Sequence, residues 1–258
     1  MTRTLAFLLF ILATTADLKT PPMSGPRERG AAIVRNKEGH ERSKNQWTME
    51  RTIVDGKPVL RFTEEGRGIR SPNDDEIRWT ILSLWTDESP PHPLWSESTT
   101  SDSEGKPLMT ESRIFDFARK QVEIKKTDSR SGKAERETVK IPSDTLAADG
   151  LAGILRGLDF TGAKTREAHL LTGEGKIYDV TFEARGKEKL QTEDGEVECY
   201  KIEVVPHLGM LNLIRFFYPK TYFWFEVASP HTWVRYAGSE TGPGSPEVVM
   251  QRSKPPSP

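Results

Sequence analysis

Cys199 and five histidines, His40, His92, His169, His207 and His231, carry the groups from which nucleophilic or metal chemistry is most often built. A metal centre draws its ligands from short fixed spacings such as His-Glu-x-x-His or His-x-His, and no two of these histidines stand at one. His40 falls in a polar leader, His92 in a proline-rich loop and His231 in a turn, so each reads as an isolated surface side chain. Cys199 and His207 could be paired as nucleophile and base. The cysteine lies in an alternating strand, however, where a buried inert thiol is the expectation. Gly242-Pro243-Gly244-Ser245-Pro246 imitates a Gly-x-Ser-x-Gly elbow without its strand-turn-helix context. The acidic run Asn73-Asp74-Asp75-Glu76 lacks calcium-loop spacing and reads as a solvated turn. These residues predict no catalytic constellation, no metal site and no cofactor.

Binding has more material. Nine aromatic residues lie between Phe216 and Tyr236, and the segment Thr221 to Val227, TYFWFEV, places large rings on both faces of a strand. One account packs both faces into core. The other lets some of these rings line a concave sheet that receives an apolar ligand. On that account the candidate ligand-binding residues are Trp79, Trp85, Leu211, Ile214, Phe223, Trp224, Phe225 and Trp233.

The elements that must position these side chains are mostly strands. From Lys176 to Val205 the chain reads as three strands joined by turns at Arg185-Gly186 and Asp194-Gly195. Tyr178, Val180 and Phe182 alternate there with Asp179, Thr181 and Glu183. Trp47 to Thr63 reads as a hairpin about Asp55-Gly56, since Asp-Gly supplies the positive φ angles of a type I′ turn. Ile77 to Trp85 sets Ile77, Trp79, Ile81, Ser83 and Trp85 on one face. Further strands are expected over 95–100, 108–117, 122–126, 135–141, 168–172, 232–236 and 247–251, with the lysines and glutamates of 108–141 on outer faces. One helix interrupts them: Ser143 or Asp144 would cap it, and Leu151, Ile154, Leu155 and Leu158 form its apolar stripe. Leu208 to Tyr218 reads as a short helix or an apolar loop.

Composition agrees with this pattern. Hydrophobic residues make up 35% of the chain and charged residues 29%, enough to bury one face of a sheet but not two. The net charge is -1, so no global field draws a nucleic acid or an anionic membrane surface. The first 16 residues carry Arg3, the apolar run Leu5 to Ala13 and small residues before Asp17, which is the pattern of a signal peptide. The run is too short to span a bilayer core of ~30 Å. The expected organisation is a signal peptide over 1–16, a flexible leader over 17–45, one β-rich domain over 46–252 and a disordered tail over 253–258. The protein would be exported, periplasmic or extracellular, and not membrane-spanning after cleavage.

The order of features resembles exported bacterial proteins of domain-of-unknown-function 3108, also labelled TapB-like. The resemblance rests on an N-terminal meander, ESRIFDFARKQVEIKK at 111–126, the joint Lys140-Ile141-Pro142, a short helix ending at Leu155-Arg156, and EDGEVECYKIEVVP at 193–206 with Gly195 four residues before Cys199. It covers about residues 46–238. It implies a signal peptide, a single β-rich domain curling around one helix, and a place in the cell envelope; it implies no catalytic residues. The apolar segment Leu208 to Tyr218 departs from the pattern.

The fold expected is mainly β, a single antiparallel meander sheet curled into an open or partly closed barrel with one short helix packed on or inside it. The function expected is a non-catalytic binding module for an apolar or lipid-like ligand. The alternative is a structural or assembly protein of the envelope that works through contacts with another envelope protein. Neither reading involves nucleic acid.

Overall fold

The computed structural model describes residues 17–69, 75–161, 165–207, 219–240 and 245–254. The segments expected to be a signal peptide and an apolar loop, 1–16 and 208–218, lie outside them, as do Asn73, Asp74 and residues 255–258 of the expected tail.

Eight strands run in antiparallel succession: β1 (Arg27–Asn36), β2 (Glu41–Val54), β3 (Lys57–Gly68), β4 (Ile77–Thr86), β5 (Pro93–Asp102), β6 (Pro107–Asp116), β7 (Gln121–Asp128) and β8 (Ala134–Lys140). The short β9 (Thr145–Ala147) and the helix α1 (Leu151–Leu155) follow. A second succession comprises β10 (Thr165–Leu171), β11 (Ile177–Thr192), β12 (Gly195–Pro206), β13 (Thr221–Glu226), β14 (Trp233–Ser239) and β15 (Glu247–Ser253). β15 pairs with β1, from Ala31 opposite Ser253 to Asn36 opposite Val248, and this joins the two successions into one 15-stranded sheet. All neighbours are antiparallel except β9 and β10.

The edge strands of this sheet, β8 and β9, are consecutive in the chain. Residues 141–144 can separate their ends by no more than about 18 Å, so the sheet must curl until its two edges approach. It is not closed by hydrogen bonds. Side chains join its ends instead: on the inner face Arg113 of β6 reaches Asp149, beyond β9, and the Gly173 carbonyl in the turn between β10 and β11.

Along each strand the inner face divides in two. At one end Leu60, Trp85, Phe115, Val122 and Ile124 are buried around α1, with Leu155 fully enclosed. The helix has no side-chain cap and starts from Gly150 in the left-handed conformation. Packing holds it, since five residues are too few to sustain an isolated helix.

Several expectations change. Residues 27–45, read as leader, form β1 and the start of β2, and Leu18 bridges to Leu158 and is buried. Too few apolar residues punctuate the stretch for its period to show, yet β1 supplies the strand that joins β2 to β15. Ser253, placed in the tail, closes β15. The helix begins later than Ser143, because Thr145–Ala147 pairs with β10 as a strand buried at all three positions. Arg185-Gly186 does not reverse the chain. It is a bulge within the continuous β11, between Ala184 and Lys187, where Gly186 takes φ +89° and the strand bends. The turn at Asp55-Gly56 forms a hairpin with φ 49° and 76°, and the second hairpin turns one residue earlier than Asp194-Gly195, at Glu193-Asp194, because Gly195 already pairs with Thr192 as the first residue of β12.

Candidate functional site

Beyond α1, at the other end of the curl, the inner face does not close on itself. A cavity of about 820 Å³ remains, floored by Ala148 to Gly153 and walled by strands from both halves of the sheet. Strand registry sets its lining. Trp47, Glu64, Ile81, Ser98, Glu111 and Lys126 lie opposite one another across β2 to β7, a single row of inward-facing positions. The next row toward the strand ends holds Asn45, Gly66, Trp79, Thr100 and Met109. From the other half come Tyr178, Val204, Phe223, Trp233 and Tyr236, with Phe223 and Tyr236 edge to face at 5.0 Å.

Polar groups in this lining are held in place. Glu64 Oε1 accepts from Asn45 Nδ2 at 3.0 Å and from Trp79 Nε1 at 3.1 Å. Asn45 is 3% exposed, and among the described residues its Oδ1 has no hydrogen-bond partner, nor has the indole N–H of the buried Trp233. Arg113 donates to Glu111, to Asp149 and, at 2.9 Å, to the Gly173 carbonyl, while Lys126 lies 3.2 Å from the second oxygen of Glu111. Arg156, just past α1, donates to Glu28 of β1 and, at 3.1 and 2.9 Å, to the Pro230 carbonyl between β13 and β14. Burial alone would raise the Glu28 carboxyl; its bonds from Arg156 and Ser24 outweigh that and hold it below the ordinary range. The phenol of Tyr236 donates to the Ser239 carbonyl at 2.6 Å, and burial pushes its pKa up to about 12.

Of the candidate binding residues, Trp79, Phe223 and Trp233 line the cavity. Trp85 and Phe225 are fully buried in the core around α1, below the cavity floor. Trp224 faces the opposite side of the sheet. There it packs with Leu190, Cys199 and Val234 in a separate outer cluster and donates to Glu188. That cluster exists because the β11–β12 hairpin bends at its bulge and carries its tip over the outer face to β15, where Gln251 Nε2 donates to the Gln191 carbonyl at 2.9 Å. So both ring-bearing faces of β13 are covered, one by core and cavity, the other by the hairpin. Leu211 and Ile214 fall outside the described residues.

The polar wall was not anticipated. Glu111, Arg113 and Lys126 share the inner face with Phe115, Val122 and Ile124, where outer faces were expected for the lysines and glutamates. The period-2 spacing of Glu111, Arg113 and Phe115 was the available signal; charge normally marks the solvent side, and it masked that spacing.

Cys199 is fully buried in the outer cluster, and burial pushes its thiol up to about 11, away from nucleophilic use. His169 lies between Asp144 at 2.7 Å and Asp179 at 3.3 Å on a partly exposed surface, and the His207 ring nitrogen meets the Thr181 hydroxyl at 2.7 Å. Among the described residues no three His, Cys, Asp or Glu side chains converge as a metal site would require.

No curated protein matches the chain. Among solved structures it is similar to a lipoprotein candidate from Parabacteroides distasonis, at 9% identity and a TM-score of 0.34, over 93% of this chain and 99% of that one. It is also similar to a candidate exported protein with YmcC-like fold from Bacteroides fragilis, at 9% identity and a TM-score of 0.31, over 93% and 98% of the two chains. The family described as protein of unknown function DUF3108 matches residues 40–251, which take in every strand from β2 to β14 and all of the described cavity lining except Val34 of β1. The chain therefore belongs to the DUF3108 family.

Proposed function

We propose that this protein is an exported, non-catalytic binding module for an apolar or lipid-like small molecule, which it holds inside its curled sheet. The cavity carries the reading. Its volume of about 820 Å³ falls within the roughly 300–1,000 Å³ of small-molecule sites, and its wall combines indole and phenyl rings with a few fixed polar groups. Export is supported by the apolar run Leu5 to Ala13 and the small residues after it.

The test is uptake of a neutral apolar fluorophore such as N-phenyl-1-naphthylamine, together with native mass spectrometry of protein purified from a bacterial periplasm. Thr100 lies on the wall of the cavity, and Thr100→Trp fills part of its volume. The expected outcome is saturable uptake by the wild type, reduced at least about tenfold in Thr100→Trp while the melting temperature holds or rises. Uptake that is equal in the two proteins places the fluorophore elsewhere and removes the reading.

Assembly through protein contacts is the second reading, and the edge of β8 is where it would act. β8 is exposed along nearly its whole length, but its sequence AERETVK alternates charges in the way that edge strands discourage pairing.

A further inference from the structure

The binding-module reading leaves open what the polar end of the ligand is, and the cavity wall constrains it. Each charged group of the described lining already has a partner. Arg113 donates to Glu111 and Asp149, and Lys126 lies 3.2 Å from Glu111. Glu240 pairs with Arg42 at 3.1 Å, Glu174 with Lys176 at 2.9 Å, and Arg156 with Glu28. Glu64 accepts from Asn45 and Trp79 and has a further contact. An ionised head group drawn into this space would give up its water and find a counter-charge only by opening one of these pairs. An uncharged head meets no such cost.

The groups that the wall leaves unpaired point the same way. Three buried polar atoms of the lining have no hydrogen-bond partner among the described residues: Arg113 Nε, Asn45 Oδ1 and Trp233 Nε1. The first belongs to a guanidinium whose charge two carboxylates already match. The other two are neutral, an acceptor on a residue 3% exposed and a donor on a residue 6% exposed. Leaving such groups unpaired costs free energy that a ligand of the opposite hydrogen-bonding sense would recover. Glu64 fixes the orientation of the Asn45 amide, since a carboxylate can only accept, so the free atom there is the oxygen. The two groups share one stretch of wall. Asn45 Nδ2 lies 3.9 Å from Met250 Sδ, and Met250 stands opposite Tyr236, which follows Trp233 on β14.

We propose that the cavity selects uncharged amphiphiles whose head both donates and accepts hydrogen bonds, of the monoacylglycerol kind, with a hydroxyl donating to Asn45 and an oxygen accepting from Trp233. The inference rests on the binding-module reading, and the experiment separates the two. Protein loaded with N-phenyl-1-naphthylamine is titrated at neutral pH with monododecanoylglycerol, methyl dodecanoate, dodecanoate or dodecylamine, which share chain length. The last two are ionised at that pH, and the methyl ester is uncharged but has no hydroxyl. Monododecanoylglycerol is expected to displace the fluorophore at a concentration about tenfold lower than any of the others. In Asn45→Leu its advantage over methyl dodecanoate is expected to shrink to less than about threefold. Trp233→Phe keeps a ring and loses the N–H, and it serves if Asn45→Leu folds poorly. There the advantage over dodecylamine, an ammonium that cannot accept, is expected to narrow by a similar factor. Each ratio is read within one protein, so a change in its affinity for the fluorophore cancels. Equal displacement by methyl dodecanoate or by either ionised amphiphile, or an advantage that survives both substitutions, overturns the inference and leaves the binding module standing. Absence of fluorophore uptake overturns both.

Discussion

Arg156 is 2% exposed and directs its donors at Glu28 and at the Pro230 carbonyl, so one side chain fixes α1 to β1 and to the turn between β13 and β14. Replacing it with leucine leaves a carboxylate buried without its cation. Arg156→Leu is expected to cost about 3–5 kcal/mol in urea unfolding, and adding Glu28→Gln should recover much of that loss. The same pair gives the protein a defined acid response. Because the folded state holds the Glu28 carboxyl below its ordinary range, its contribution is complete above the unfolded value and disappears as pH falls through the folded one. Glu28→Gln is therefore expected to flatten the decline in urea midpoint between about pH 5 and pH 3. A decline unchanged by the substitution would assign the acid response to other carboxylates.

At the scale of elements, indoles packed on glycines shape the cavity wall. Trp47 lies against Gly30 and Trp79 against Gly66, each across one strand pair, and a Cβ built on Gly66 would stand 2.1 Å from Trp79 Cζ2. The ring lies flat on the neighbouring strand, which leaves the space beside it open. Gly66→Ala is expected to force Trp79 off this position, at a cost of about 1–3 kcal/mol and with a changed near-ultraviolet dichroism of its indole. An unaltered spectrum would show that the strand yields instead of the ring. The bulge at Ala184 to Lys187 has a comparable role on the other half: by bending β11 it folds the hairpin over Trp224 and provides this wide sheet with a second, outer core.

The whole molecule depends on the meeting of two sheet ends that never exchange backbone hydrogen bonds. Arg113 makes that junction, together with the contact of the β10–β11 turn on β7, where a Cβ on Gly175 would stand 3.1 Å from Ile124 Cδ1. Arg113→Leu takes from Asp149 the cation that holds it and leaves Glu111 with Lys126 alone on the cavity wall. It is expected to destabilise the protein by about 3–5 kcal/mol and to speed amide exchange first in β9 and the β10–β11 turn. Uniform acceleration through β1 to β5 as well would mean that the two halves open together. The cavity follows from the same geometry, since a sheet of this width curls with a radius that one five-residue helix fills at one end only.

Local patterning by itself determined the antiparallel meander, the hairpins at Asp55-Gly56 and before Gly195, and the inward face of Ile77 to Trp85. Alternation and turn chemistry act within a few residues, so they are readable in one dimension. It also determined that Leu151, Ile154, Leu155 and Leu158 would be buried together. Tertiary structure alone decided which rings of 222–236 face the cavity, which lie in the core and which lie outside, because that depends on where the β11 bulge sends the hairpin. It decided too that Glu64, Glu111, Arg113 and Lys126 point inward. Their charge argues for solvent until partners from other strands and from the segment after β9 are brought within reach, and only closure of the curl does that.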